Sequence, residues 1–181
     1  MSFESGKNMA SIGALLLVIG SFVPFLSLVG IILLLLGLRD LGQYYNDNSI
    51  FQNGLYGFIF GFIGIVASAV ILISVFLSGF AFGAGYLGLA GIFLALFVAF
   101  IFNILMAVYF RRSFDSLADK SGQGMFKTAG LLLFIGAILT IIIVGLVLIF
   151  IAWILATVAF FQMTSATTPQ QSIPPPPPPQ T

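Results

Sequence analysis

A chain of 181 residues that is 60% hydrophobic and 6% charged, with mean hydropathy +1.20, lies far outside the soluble range, where about a quarter of residues carry charge. A net charge of +1 argues against a basic nucleic-acid face, and with 0 Cys and 0 His there is no disulfide framework, thiol nucleophile or Cys/His metal site. What remains is a polytopic membrane protein, because apolar runs able to cross about 30 Å of hydrocarbon recur along the chain.

The first apolar run follows Lys7 and continues past Pro24 to Leu38 without a small-x-small cleavage site, so it reads as retained rather than as a signal peptide. It is long for one upright span and short for two, and Pro24 with Ser21 and Ser27 interrupts it. The pattern predicts helices over 8–22 and 26–45, then a long pair over 51–78 and 86–112 joined by the Gly-rich turn GFAFGAG. Phe126–Phe161 repeats the first ambiguity and divides into helices over 124–141 and 144–162. The expected fold is an all-α membrane helix bundle over residues 1–162, two short hairpins flanking a long central helix pair. A Pro-rich, disordered cytoplasmic tail is expected over 163–181.

Length alone allows four crossings or six. Six places Lys7, Arg39, Arg111, Arg112, Lys120 and Lys127 on one side with Glu4, Asp40, Asp47, Asp115 and Asp119, and leaves the opposite turns uncharged. Lys and Arg gather on the cytoplasmic side, so both termini are expected there and six crossings are preferred. The end hairpins are short: from Lys7 to Pro24 a helix rises only about 25 Å. They are therefore thin tilted spans or re-entrant hairpins, and either keeps the same topology.

The ends also resemble each other. IGALLLVIG with VGIILLLLG runs parallel to AGLLLFIGA with VGLVLIFIA, aligning Gly13 with Ala129, Gly20 with Gly136, Gly30 with Gly145 and Gly37 with Ala152. A parallel repeat explains this, and so does the ease with which Gly/Leu/Ile-rich text matches itself. In the central pair, Gly54, Gly57, Gly61 and Gly64 form a stripe on the third helix, answered on the fourth by Gly88, Gly91, Ala95 and Asn103. Small residues at such spacing let helices approach closely in a membrane, so the stripes are expected to be a packing seam.

Asn103 is the most deeply placed strongly polar side chain and is expected to bond across helices, with a solute contact as the alternative. Thr140 is expected to bond back to its own helix, and Trp153 to lie within the protein. Arg39, Tyr44, Tyr45, Arg111, Arg112, Lys120 and Lys127 are expected membrane-interface anchors, together with Tyr109. Half of them come from or flank RRSFDSLADK (111–120), read as a cap on the fourth helix with an Arg112–Asp115 pair and an apolar face of Phe110, Phe114 and Leu117. No Lys, Arg or carboxylate falls mid-span, which disfavours both an ion-coupled carrier and an intramembrane hydrolase, so no enzyme, catalytic residue or cofactor is expected. The six prolines at 174–179 impose polyproline II on the tail, a shape that docks in aromatic grooves or serves as a spacer.

FRRSFDSLADKSGQGMFKTAGLLLFIGAILTIIIVGLVLIFIAWILATVAFF (110–161), with GLRDLGQYYNDNSIFQNGLYGFI (37–59), resembles the archaeal integral-membrane family known as domain of unknown function 996. The Arg-Arg-Ser-Phe turn, the GAILT stretch and the IAWIL…AFF ending carry the resemblance. It implies an archaeal cell membrane and a multi-pass protein, and no activity. The expected function is a non-enzymatic structural or accessory component; the alternative is a small channel or facilitator for an uncharged solute. Expected partners are membrane lipids, a second copy or another membrane subunit, and a cytoplasmic polyproline-binding protein on the tail, with no nucleic acid.

Overall fold

The computed structural model describes residues 3–82, 85–142 and 144–165. Among these the chain is helical: α1 (Phe3–Gly20), α2 (Pro24–Tyr44), α3 (Asn48–Phe82), α4 (Gly85–Ser121), α5 (Met125–Ile138) and α6 (Val144–Gln162), with a 3-10 turn, Leu139–Ile141, after α5. Four of the helices are long and apolar enough to cross a membrane, those of α2, α3, α4 and α6; α5 with its turn is shorter. The Pro-rich tail lies outside the described residues from 166 onward.

Local chemistry sets the ends. Pro24 opens α2, where its missing N–H is no loss and its φ suits a first turn. Gly122 closes α4 with φ 73°, a left-handed C-terminal position that favours glycine. Several boundaries differ from the sequence expectation. α3 spans Asn48–Phe82 rather than 51–78, so helix continues through the first four residues of GFAFGAG, and residues 83–84 of that expected turn lie outside the described residues. α1 begins at Phe3 rather than near residue 8, because Phe3 is itself buried and Gly6 lets α1 lie against Asp40 of α2. α4 runs straight through RRSFDSLADK instead of ending at 112, because Phe110, Phe114 and Leu117 continue its buried face one turn after another.

Each helix packs on its neighbour in sequence, and α6 returns to α1, closing the bundle. The end hairpins are tight. A Cβ at Gly13 would lie 2.4 Å from the Leu34 nitrogen, and one at Gly37 2.4 Å from the Ala10 nitrogen. In the other hairpin, a Cβ at Gly136 would lie 3.0 Å from the Gly145 oxygen. All eight residues aligned between the two ends are buried.

Among the described residues, most of the fully buried large side chains gather toward one end. Phe110, Phe114, Phe126 and Phe160 cluster with Leu34, Leu38, Leu41, Ile50 and Leu117, drawn from five helices. All six Lys/Arg and five Asp/Glu also lie at that end, where α1, α3 and α5 begin and α2 and α4 finish. Beyond it, α3 and α4 continue as a pair with exposed apolar side chains such as Phe62, Ile65, Phe93 and Phe97.

Candidate functional site

Two polar constellations stand out, one at the charged end and one in the middle of the bundle. The first forms where the α2–α3 connection meets the end of α4. Asn46 takes φ 52°, a region asparagine tolerates better than most residues, and Asp47 follows. Asp47 Oδ1 accepts the Ser49 backbone N–H at 3.0 Å and the Ser49 hydroxyl at 2.6 Å, the arrangement of a helix N-cap. The Ser49 and Ser116 hydroxyls then bridge α3 to α4 at 3.0 Å. Lys120 Nζ stands 3.9 Å from Asp47 Oδ2, and the buried Ser113 hydroxyl donates to the Ile50 carbonyl at 2.6 Å.

This setting holds the Asp47 carboxyl below its ordinary range. The Ser49 hydroxyl lowers it most, burial opposes this, and the Ser49 N–H and the Lys120 charge add to the lowering. A lowered folded-state value stabilises the fold above the ordinary carboxylate range, near pH ~4, and that contribution fades as pH falls through the lowered value. Asp47→Ala is therefore expected to reduce unfolding free energy by about 1 kcal/mol at neutral pH. Thermal melts across pH should show the gap to the parent closing as pH drops below about 4; a gap that stays constant would mean the carboxylate charge is irrelevant.

The neighbouring charges pair differently from the sequence expectation. Arg111, not Arg112, meets Asp115, with Nε 3.7 Å from Oδ2. The Arg111 guanidinium also lies 5.3 Å from the Phe134 ring centre, while Arg112 lies over the Tyr109 ring at 5.5 Å. Lys127 and Asp119 pair at 2.7 Å, and the Ser5 hydroxyl donates to Asp40 at 3.3 Å. The ion pairs on the solvent-facing side are screened by water and salt and add little to stability. Arg39 is exposed, and Tyr44 packs between Phe3 and Tyr45 at 5.0 and 4.9 Å. Among the described residues the buried Tyr45 hydroxyl has no hydrogen-bond partner, and burial, then the neighbouring Tyr44, pushes its pKa up. Tyr109 stacks on Phe60 at 5.2 Å.

The second constellation centres on Asn103, midway along α4. Its Nδ2 donates to Thr140 Oγ1 at 3.2 Å, and Thr140 in turn donates to the Gly136 carbonyl at 2.9 Å. The amide thus ties α4 to the 3-10 turn after α5. Trp153 of α6 belongs instead to the charged-end ring cluster, edge-on to Phe110 at 5.6 Å and Phe114 at 6.2 Å.

The glycine stripe of α3 does face α4, but it meets large side chains rather than the small ones anticipated. Gly57 receives Phe110, Gly61 receives Met106, and Gly64 receives Phe102. Gly54 instead accommodates Leu38 of α2. On α4, Gly91 accepts Val75, Gly88 has only Val75 at 4.0 Å, and Ala95 is buried. The helices mesh as knob into gap, which gains more dispersion contact than small-on-small apposition.

Asp47, Ser49, Ser113 and Ser116 were not singled out by sequence reasoning. The one available signal was Asp47 ahead of the α3 apolar run, an N-cap pattern. Among the described residues, no three Asp and Glu side chains converge.

A family model described as protein of unknown function (DUF996) matches residues 26–154, from α2 into α6. An uncharacterised protein of Methanocaldococcus jannaschii is 30% identical over 166 residues, covering 90% of this chain and 94% of its own length. The chain belongs to the DUF996 family. No solved structure matches. In this DUF996 protein the matched segment contains both polar constellations, whereas α1 lies outside it.

Proposed function

We propose that this DUF996 protein is a non-enzymatic structural or accessory component of the cell membrane, inserted as three hairpins from its charged end with both termini cytoplasmic. The observation that carries the reading is the gathering of every charged side chain at one end of the bundle, the pattern expected of a cytoplasmic face. Arg39 and Arg112 are then free to meet anionic lipid headgroups, each gaining about 1 kcal/mol near such a surface. The proline run is available to a polyproline-binding partner, and the apolar faces to lipid, a second copy or another membrane subunit. Single cysteines replacing Asn8 and Ser78 test the orientation in intact cells. An impermeant reagent should label Ser78→Cys alone; labelling of Asn8→Cys would reverse the orientation.

A facilitator for an uncharged solute is the second reading, and the Asn103–Thr140 pair at mid-bundle is what favours it. The two readings separate on Asn103→Leu. As a packing bond its loss should lower stability by about 1 kcal/mol and leave liposome permeability unchanged. A change in solute flux with normal assembly would instead establish the pair as a pathway.

A further inference from the structure

We propose that α1–α2 and α5–α6 are re-entrant hairpins whose turns stop inside the bilayer, so that the leaflet at the charged end holds six helices and the far leaflet two. The starting observation is where exposed side chains change character. They pass from Asn8 to Ile12 on α1, from Arg39 to Leu36 on α2, from Tyr56 to Ile59 on α3, and from Thr128 to Leu131 on α5. On α4 the change falls between Arg112 and Ile101. Moving this level toward the charged end would expose Arg39 and Arg112 to hydrocarbon, at about 3 kcal/mol each or more. It is therefore the hydrocarbon boundary.

Heights above that boundary are unequal. From Ile59 to Phe82, α3 rises ~35 Å, enough to pass the ~30 Å hydrocarbon layer. Ile12 to Gly20 rises only ~12 Å, and Leu36 to Pro24 ~18 Å. Leu131 to Ile138 with the following 3-10 turn reaches ~16 Å. These three values bracket the midplane at ~15 Å; α6 is long and apolar enough over its 19 residues to cross, but its start is held at the depth of the short turn that joins it to α5. Side-chain contacts place both turns well short of the α3–α4 tip. Phe22 of the first turn packs edge-on against Phe150 within α6 at 6.1 Å. Thr140 of the second meets Asn103, beyond which α4 extends another ~27 Å toward Gly85.

Both turns are also built for hydrocarbon. The N–H groups of Ser21, Phe22, Val23 and Leu26 all donate within the first turn, and Pro24 has none. The Ser21 hydroxyl bonds back to Leu17. In the second turn Ile142 donates to Leu139 and Gly145 to Ile142. Their tips present Phe22 and Ile141, 79% and 78% exposed, in place of the Asn, Asp, Gly and Ser of a watery loop. Four additional helices of about 10 Å diameter add roughly 300 Å² to one leaflet. The molecule is a wedge, broad at its charged end, and fits a membrane that is convex on that side.

The chain has no native cysteine, so single spin labels can report depth in reconstituted vesicles of the full-length protein. Phe22→Cys and Ile142→Cys replace exposed side chains and leave the core untouched. Labels there should relax strongly with oxygen and not with a water-soluble nickel chelate supplied on either side, whereas labels at Asn8→Cys and Ser78→Cys should respond to the chelate. Chelate access at position 22 or 142 from either side overturns the proposal. The readout does not depend on which side is cytoplasmic, so it can fail or succeed separately from the orientation proposed above. The wedge has its own measurement: protein inserted from outside, charged end outward, should reach higher density on small vesicles than on large ones. Equal density would overturn the wedge.

Discussion

Phe114→Ala is expected to lower the stability of the bundle by about 3–5 kcal/mol, the range for removing a buried phenylalanine. Phe114 is fully buried and touches four other rings: Phe110 at 6.3 Å, Phe126 at 5.9 Å, and Phe160 and Trp153 at 6.2 Å. These rings come from α4, α5 and α6, so truncation leaves a cavity at a three-helix junction. The junction lies at the charged end of the bundle, beside Arg111 and Asp115. Phe97→Ala is the contrast. Phe97 is 62% exposed on the projecting part of α4, where lipid is as apolar as the ring it would replace. Thermal unfolding of the two variants in one detergent should separate them widely. Similar melting temperatures would show that the charged-end core does not hold the bundle together.

Gly37→Ala should be nearly as damaging, at about 3 kcal/mol, although it adds one methyl group. The new Cβ would stand 2.4 Å from the Ala10 nitrogen and 2.7 Å from the Ala10 Cα, both backbone atoms that cannot rotate aside. α1 and α2 would have to separate, and with them the contact of α1 with α6 that closes the bundle. Gly61→Ala supplies the control. Its Cβ would meet Met106 Sδ at 2.8 Å, and a thioether at the end of a flexible chain yields easily. Disulfide cross-linking between cysteines placed on α1 and α2 would read the difference directly. Efficient cross-linking in Gly37→Ala would refute the close-packed seam.

Much of this architecture is visible in the amino-acid order. Pro24 and the interruption near Val144 mark the turns of the two end hairpins, and the charged residues mark the opposite end. Partner choice was harder to read. Arg111 and Arg112 are adjacent, and either can reach a carboxylate further along the helix; Phe134, brought alongside by α5, stands over Arg111 alone. Asn103 was expected to bond across helices, but its partner is 37 positions away, on a turn whose placement depends on how α5 packs against α4. Ser113, fully buried against the Ile50 carbonyl, carries no local signature at all.

Sequence by itself determined which segments are apolar enough to leave water and at which end of the helices the charges gather, because transfer free energy is a property of each residue and sums along a segment. It also determined the hairpin turns, through proline, glycine and the loss of apolar periodicity. Only the tertiary structure decided how far α4 continues, which ring meets which, and which helix each end hairpin's turn packs against. Those outcomes depend on surfaces from distant parts of the chain fitting together, and packing geometry of that kind is written in no single segment.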